Sequence, residues 1–340
     1  MTFYELKAAD KLDVCQGVEN DRGIPAFAVE KDWWVVQTLE IIFGMDVASH
    51  LVFKGGTSLS KAWKLIDRFS EDINLAIDRD FLGFKGDLGK NQRTKLRKTT
   101  SSYIEDVFFP ELRGRFMERG MEDIEFRLIA SSSSDQDPRI IEIFYPNATK
   151  SPGYILPRVQ VEIGCRSLRE PFENKTIASF ISEQYPKADF AKEPVSIPSV
   201  LPERTFLEKL FLLHEEFQRP TGKIRVERLS RHLYDIHQLS RSPHADRAIH
   251  DHDLYEAIVD HRHTFTRMRG IDYNLHQPQT IQPLPIPDLE GAWMKDYKTM
   301  REQMIYGDSP SYQEMISGIQ KFLSKLNNME WTMKSEFPRL

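Results

Sequence analysis

FKGGTSLSKAWKLIDRFSEDINLAI, residues 53–77, carries two different periodicities in one short run. LVFKGG, residues 51–56, reads as a short apolar strand stopped by Gly55 and Gly56. In TSLSKAWKLI the apolar Leu59, Ala62, Trp63 and Ile66 recur at helical spacing, which predicts a helix with Thr57 or Ser58 as N-cap. DINLAID, residues 72–78, then alternates. Ile73, Leu75 and Ile77 fall on one face and Asp72, Asn74 and Asp78 on the other, which predicts a half-buried strand with a polar working face. A helix that starts at a glycine pair offers backbone N–H groups to a phosphate, and the missing Cβ atoms let the oxygens come close. Asp72 and Asn74 are two residues apart and share a face, where oxygen ligands suit Mg²⁺, an ion that also grips substrate phosphates. A phosphate cradle beside a metal-holding strand points to phosphoryl or nucleotidyl transfer. Each signal alone is ordinary, a turn or a solvated strand face. Their combination at this spacing carries the weight.

Working outward, IPAFAVEKDWWVVQTLEIIFGM (24–45) has helical apolar spacing after a Gly-Ile-Pro turn. Downstream, residues 85–118 read as helical and begin very basic, and strand-like runs follow at 124–130, 139–145 and 154–164. The mixture predicts an α+β or α/β pattern. Pro186, Pro194, Pro198 and Pro202 mark 186–202 as the domain boundary, giving a mixed domain over 1–200 and a helical domain over 201–340. The second holds helical patterns at 203–218, 225–241, 251–268, 290–305 and 310–327, interrupted by a Pro-rich loop at 276–287.

Composition fits this picture. A chain of 340 residues predicts about two domains. Its 40 % hydrophobic content supports a real core, and a net charge of −5 excludes a globally basic nucleic-acid coat. Cys15 and Cys165 are too few for a disulfide framework or a four-cysteine zinc site and suit a reducing cytoplasm. MTFYELKAADKLDV does not read as a signal peptide, and the apolar run Trp33–Leu39 is far short of a membrane span. The expected location is cytoplasmic, with no membrane partner.

KGGTSLSKAW followed by RFSEDINLAI resembles the signature of the AbiEii/AbiGii-type toxins, which have the minimal nucleotidyltransferase (polymerase-β-like) fold. VEKDWWVVQTL (29–39) is similar to that family's N-terminal helix, and FLEKLFLLHEEF and RLSRHLYDIHQL to its C-terminal motifs. The resemblance runs from about residue 29 to 241. It implies a mixed-sheet nucleotidyltransferase domain with a C-terminal helical domain, and a toxin with a cognate antitoxin. It also implies an NTP and Mg²⁺, with a transfer RNA end as acceptor. On this sequence the family's phosphate motif falls on Gly55, Gly56, Thr57 and Ser58, with Lys61 one turn on. Its metal motif falls on Asp72 and Asn74, where an amide replaces the usual second carboxylate. The third acidic position falls on Glu162, with Gln160 and Gly164 on the same strand face. The family's later Lys and Asp fall on Lys209 and Asp235, with Arg231 a turn before. The expected site lies between the domains, with Lys209 neutralising phosphate charge and Glu162 or Asp72 assisting the attacking hydroxyl.

Other readings stay open. The cradle could pass a γ-phosphate instead, as a kinase-like phosphotransferase. With Asn74 in the metal motif, the domain could also bind a nucleotide or a partner without turnover. Glu162 is either a ligand or a strand-edge charge, and Arg231 and Asp235 have the spacing of an ordinary helix ion pair. Glu30, Lys31 and Asp32 are expected to fix the first helix against the core. His250/His252 and His261/His263 point to different helix faces and do not make a zinc site. Arg262, Arg267 and Arg269 suggest an RNA- or antitoxin-facing surface, and Cys165 is expected to pack rather than react. Residues 85–98 carry six basic residues against one acidic, and 204–241 eight against five, two local patches suited to a phosphate backbone.

Overall fold

The alternation read in residues 72–78 is a strand, β2 (Asp72–Ile77), at the middle of a sheet. Its neighbours are β1 (Leu51–Lys54), antiparallel, and β5 (Arg158–Gly164), parallel. With β3 (Glu125–Leu128), β4 (Arg139–Phe144), β6 (Phe172–Ile177) and β7 (Val195–Val200), the order is β3-β4-β5-β2-β1-β7-β6. Leu51, Phe53, Ile73, Leu75, Ile141, Ile143, Val159, Val161 and Ile163 form one continuous buried face, as the register and the pleat require. This computed structural model describes residues 1–70, 72–133, 136–150, 156–166, 169–307 and 309–338. Residues 154 and 155, read as the start of the third strand-like run, lie outside them.

The chain divides into two compact units, Met1–Lys64 with Phe69–Val200, and Leu65–Arg68 with Leu201–Leu340. The first is an α+β unit. Besides the sheet it holds α1 (Ala8–Arg22), α2 (Ala26–Ile42), α3 (Gly55–Lys61), α4 (Lys90–Tyr103), α5 (Phe109–Glu118) and α6 (Phe180–Gln184). A π-turn, Ile104–Phe108, joins α4 to α5. Nearly every residue of α2 is buried, its charges included, because it packs against β5 and three other helices. The charges are spent locally. Glu30 accepts from Ala148 N (2.8 Å) and Thr149 N (2.9 Å), Lys31 donates to Leu156 O (2.9 Å), and Asp32 accepts from Phe180 N (2.7 Å).

Two local expectations change. The helix after the glycines stops at Lys61, not at Ile66, because the chain turns through a left-handed Lys64 (φ 53°). The proline-rich stretch 186–202, read as the domain boundary, also holds a strand, since β7 runs through Pro198 and pairs with β6. Proline lacks the N–H of a ladder, so a run with four of them carries no readable strand pattern.

The second unit is helical, with α7 (Pro202–Phe217), α8 (Ser230–Ser240), α9 (Pro243–His250), α10 (His252–Phe265), α11 (Glu290–Met304) and α12 (Tyr312–Asn327). It also takes in the detour Leu65–Arg68: Arg68 bridges Ile305, and Asp67 O accepts from Tyr306 N (3.1 Å). Arg262 was expected on an exposed basic surface. Instead it makes a two-pronged pair with Glu215 (2.6 and 2.5 Å), which is itself buried beside His276. No helix among the described residues is long and apolar enough to cross a membrane.

Three histidines of this unit are held neutral by burial: His214, pushed down to about 3, His232 and His237. The unfolded chain takes up protons on them below about pH 6.5, whereas the folded unit refuses them until lower pH. Stability therefore falls as pH drops below about 6.5. Thermal melts should show a lower midpoint at mildly acidic than at neutral pH. An unchanged midpoint would contradict it.

Candidate functional site

The strand register assembles the polar face. Lys54 stands opposite Asn74, Asn74 beside Glu162, and Asp72 beside Gln160. All five residues are half-buried on the sheet face opposite the apolar one. Gln160 Nε2 donates to Glu162 Oε1 (2.9 Å), which fixes that carboxylate's orientation. Asp72, Asn74 and Glu162 are thus neighbours across two parallel strands although they are distant in sequence. Gly164, on the same face, is backed by Asp137, which a Cβ there would approach at 3.3 Å.

The turn from β1 into α3 is built by Gly55. Its φ of +82° lies where side chains are rarely tolerated, and a Cβ there would come within 3.3 Å of Asn74 Nδ2. Gly55→Ala should cost about 1–2 kcal/mol from the backbone alone and displace Asn74. A denaturation curve unchanged from the parent would refute this. Thr57 is buried, and its hydroxyl donates to the main-chain O of Asp72 (2.5 Å), tying α3 to β2. Ser58 Oγ is buried and has no hydrogen-bond partner. Such a group is costly unless something bonds it. With seven residues, α3 is short, so its dipole adds little. What this turn could offer an anion is the N–H groups of the glycines and the Ser58 hydroxyl.

Lys61, read from the sequence as a phosphate-binding residue, has an ion-pair partner. Its Nζ is 2.7 Å from Asp32 Oδ1, both side chains are buried, and the ammonium sits 3.9 Å from the centre of the Phe180 ring. In the helical unit, Asp235 is fully buried and takes Arg68 in a bidentate pair, Nε and a terminal nitrogen each at 2.7 Å. Lys209 Nζ adds a contact at 2.9 Å and lies 3.4 Å from His232 Nδ1. Burial alone would raise the Asp235 pKa, but Arg68 and then Lys209 outweigh it and hold the carboxyl well below the usual range. Burial pulls the Lys209 pKa down against the pull of Asp235. Arg68 and Lys54 were not singled out from sequence. Lys54 directly precedes Gly55, and Arg68 opens the RFSED run, so adjacency was the signal that could have found both.

The donor set suits a hard cation. Two carboxylates and an amide oxygen are what Mg²⁺ takes when substrate phosphates complete its shell. No cluster of three or more His, Cys, Asp or Glu suited to a metal occurs among the described residues. Cys165 is buried, and burial pushes its thiol up to about 12, which suits packing and not attack.

A sequence model of the family described as "Nucleotidyl transferase AbiEii toxin, Type IV TA system" matches residues 43–327. No curated protein matches the chain. Among solved structures, the chain is similar to MenT4, a nucleotidyltransferase toxin from Mycobacterium tuberculosis H37Rv. The TM-score is 0.51 at 17 % identity, over 96 % of this chain and 91 % of that one, a likeness of fold. JHP933 from Helicobacter pylori aligns over 88 % of this chain and 91 % of its own, with a TM-score of 0.40 and 13 % identity.

Proposed function

Because the chain belongs to the AbiEii family of nucleotidyltransferase toxins of type IV toxin–antitoxin systems, we propose that it transfers a nucleotide from an NTP to the 3′ end of a transfer RNA, using Mg²⁺. It does so in the cytoplasm, under the control of a cognate antitoxin protein. The observation that supports this most is the register of β2 and β5, which sets Asp72, Asn74 and Glu162 on one half-exposed face. Those three side chains are the ones that would hold Mg²⁺. Bound there, the ion would neutralise charge on the triphosphate.

The chain's own residues do the remaining work. The turn at Gly55 and Gly56 presents backbone N–H groups, and Ser58 Oγ supplies a hydroxyl that the fold leaves unbonded. Thr57 positions: it holds β2 against α3, and so sets Asp72 beside the turn. Asp72 or Glu162 accepts the proton of the attacking hydroxyl. Lys61 acts through its Asp32 pair to hold α3 in place. Lys209 carries the role the family resemblance gives it, neutralising phosphate charge, with Asp235 and Arg68 fixing its ammonium.

The test is incubation with transfer RNA, Mg²⁺ and each NTP labelled in turn at the α- or γ-phosphate. Label entering RNA from the α-position is expected. Label moving only from the γ-position would instead make it a phosphotransferase. No transfer of either label, by a preparation that arrests growth, would overturn the reading.

Asn74 bears on how tightly the cation is held. The amide contributes no charge, so Asn74→Asp should lower the Mg²⁺ concentration for half-maximal activity, on the order of tenfold. A Mg²⁺ titration that the substitution leaves unmoved would remove Asn74 from the ligand set.

A further inference from the structure

Past α12, residues 329–338 run along the helical unit without entering a helix or a sheet. Their burial nonetheless alternates. Met329, Trp331, Met333, Ser335 and Phe337 are half-buried or buried, and the residues between them are exposed. That is the signature of a strand packed on one side. Here the partner is not a strand, because side-chain amides stand in for its backbone. Asn274 Oδ1 accepts from Phe337 N and its Nδ2 donates to Phe337 O, both at 2.8 Å. Gln277 does the same for Met333, at 2.6 and 3.4 Å. Gln279 Nε2 donates to Met329 O (2.6 Å) and Trp331 O (2.9 Å). Between these, Glu256 Oε1 accepts from Lys334 N (2.6 Å). The inward side chains have their own seats. Trp331 stacks on His252 with ring centres 4.2 Å apart, and Phe337 lies 4.7 Å from His263.

Backbone hydrogen bonds give affinity and alternate side-chain pockets give specificity. That is how proteins hold an extended peptide. Because the strap adds nothing to a helix or sheet, it can leave without breaking one. We infer that the surface formed by α10 and residues 273–280 is an extended-peptide-binding groove whose ligand is the strap sequence itself, bound in cis within one chain and in trans from a second copy. The second copy is the occupant because its strap carries the one sequence seen to fit. Reciprocal exchange of one element between copies is also a low-cost route to a two-fold dimer. Within one chain the tether gives the strap an effective concentration on the order of millimolar, so exchange emerges only when the cis contact is disabled.

Two variants of the chain disable it in complementary ways. Trp331→Ala/Phe337→Ala spoils the strap and keeps the groove, and Asn274→Ala/Gln277→Ala spoils the groove and keeps the strap. Each alone should sediment at the mass of one chain. Their equimolar mixture should give a complex of one copy of each, at twice that mass. A mixture that sediments as single chains would overturn the inference. Should either variant fail to fold, hydrogen exchange on the unaltered chain decides. The amides of Met333 and Phe337 should exchange at least about tenfold faster than those of α12, through an opening of their own. Equal rates would show the strap to be a fixed part of the unit.

Discussion

Asp235→Ala will destabilise the helical unit by about 3–5 kcal/mol. The carboxylate is wholly buried, and two cations depend on it, Arg68 in a bidentate pair and Lys209 at 2.9 Å. Removing it leaves two positive charges side by side in a medium that cannot hydrate them, which costs far more than the pair itself contributes. Urea denaturation monitored on the helices measures the effect, and a loss under about 1 kcal/mol would mean that water reaches the cluster. The pH dependence follows from the depressed pKa. The stabilisation from Asp235 is complete above the ordinary carboxylate value and is lost only as strong acid protonates it in the folded state. The neutral histidines of the same unit weaken it much earlier, so the acid transition begins with them.

Asp72→Ala will abolish nucleotidyl transfer, by at least about a thousandfold, because charge neutralisation at a transferring phosphate is worth several kcal/mol. It will do so without unfolding the chain. What α3 takes from residue 72 is its main-chain oxygen, the acceptor of the Thr57 hydroxyl, and alanine keeps that atom. The side chain sits half-exposed at the start of its strand. The α-label assay and a thermal melt on the same preparation separate the two effects. Retained transfer would move the metal to other residues, and a collapsed melt would make Asp72 structural.

The contrast between these aspartates shows what a sequence can and cannot disclose. The shared face of Asp72 and Asn74 was legible because the period of a strand is local and exact sterics enforce it. The glycine turn was legible for the same reason. That Glu162 stands beside Asn74 is a matter of register between strands far apart in sequence, and the family resemblance supplied it where periodicity was silent. β7 was hidden by Pro198, whose missing N–H is tolerated at that place in the ladder. Lysines were the least readable. Lys61 looks the same in sequence whether its ammonium meets a phosphate or Asp32, and only the packing of α2 reveals the second. Arg68 was overlooked because its partner Asp235 lies 167 residues further along the chain. The i, i+4 pattern drew attention to Arg231, while Arg68 and Lys209 pair with Asp235 at 2.7 and 2.9 Å.

The four-residue detour Leu65–Arg68 bears on heredity as well as on stability. The chain leaves the sheet unit after Lys64, gives the helical unit its Arg68 and returns at Phe69. The border between the units is thus crossed three times, not once. A gene fusion that spliced the helical unit onto another catalytic partner at residue 201 would leave Arg68 behind, and Asp235 would be inherited without its guanidinium. The two halves are therefore expected to be passed on together, and to diverge as one lineage instead of being shuffled as interchangeable parts.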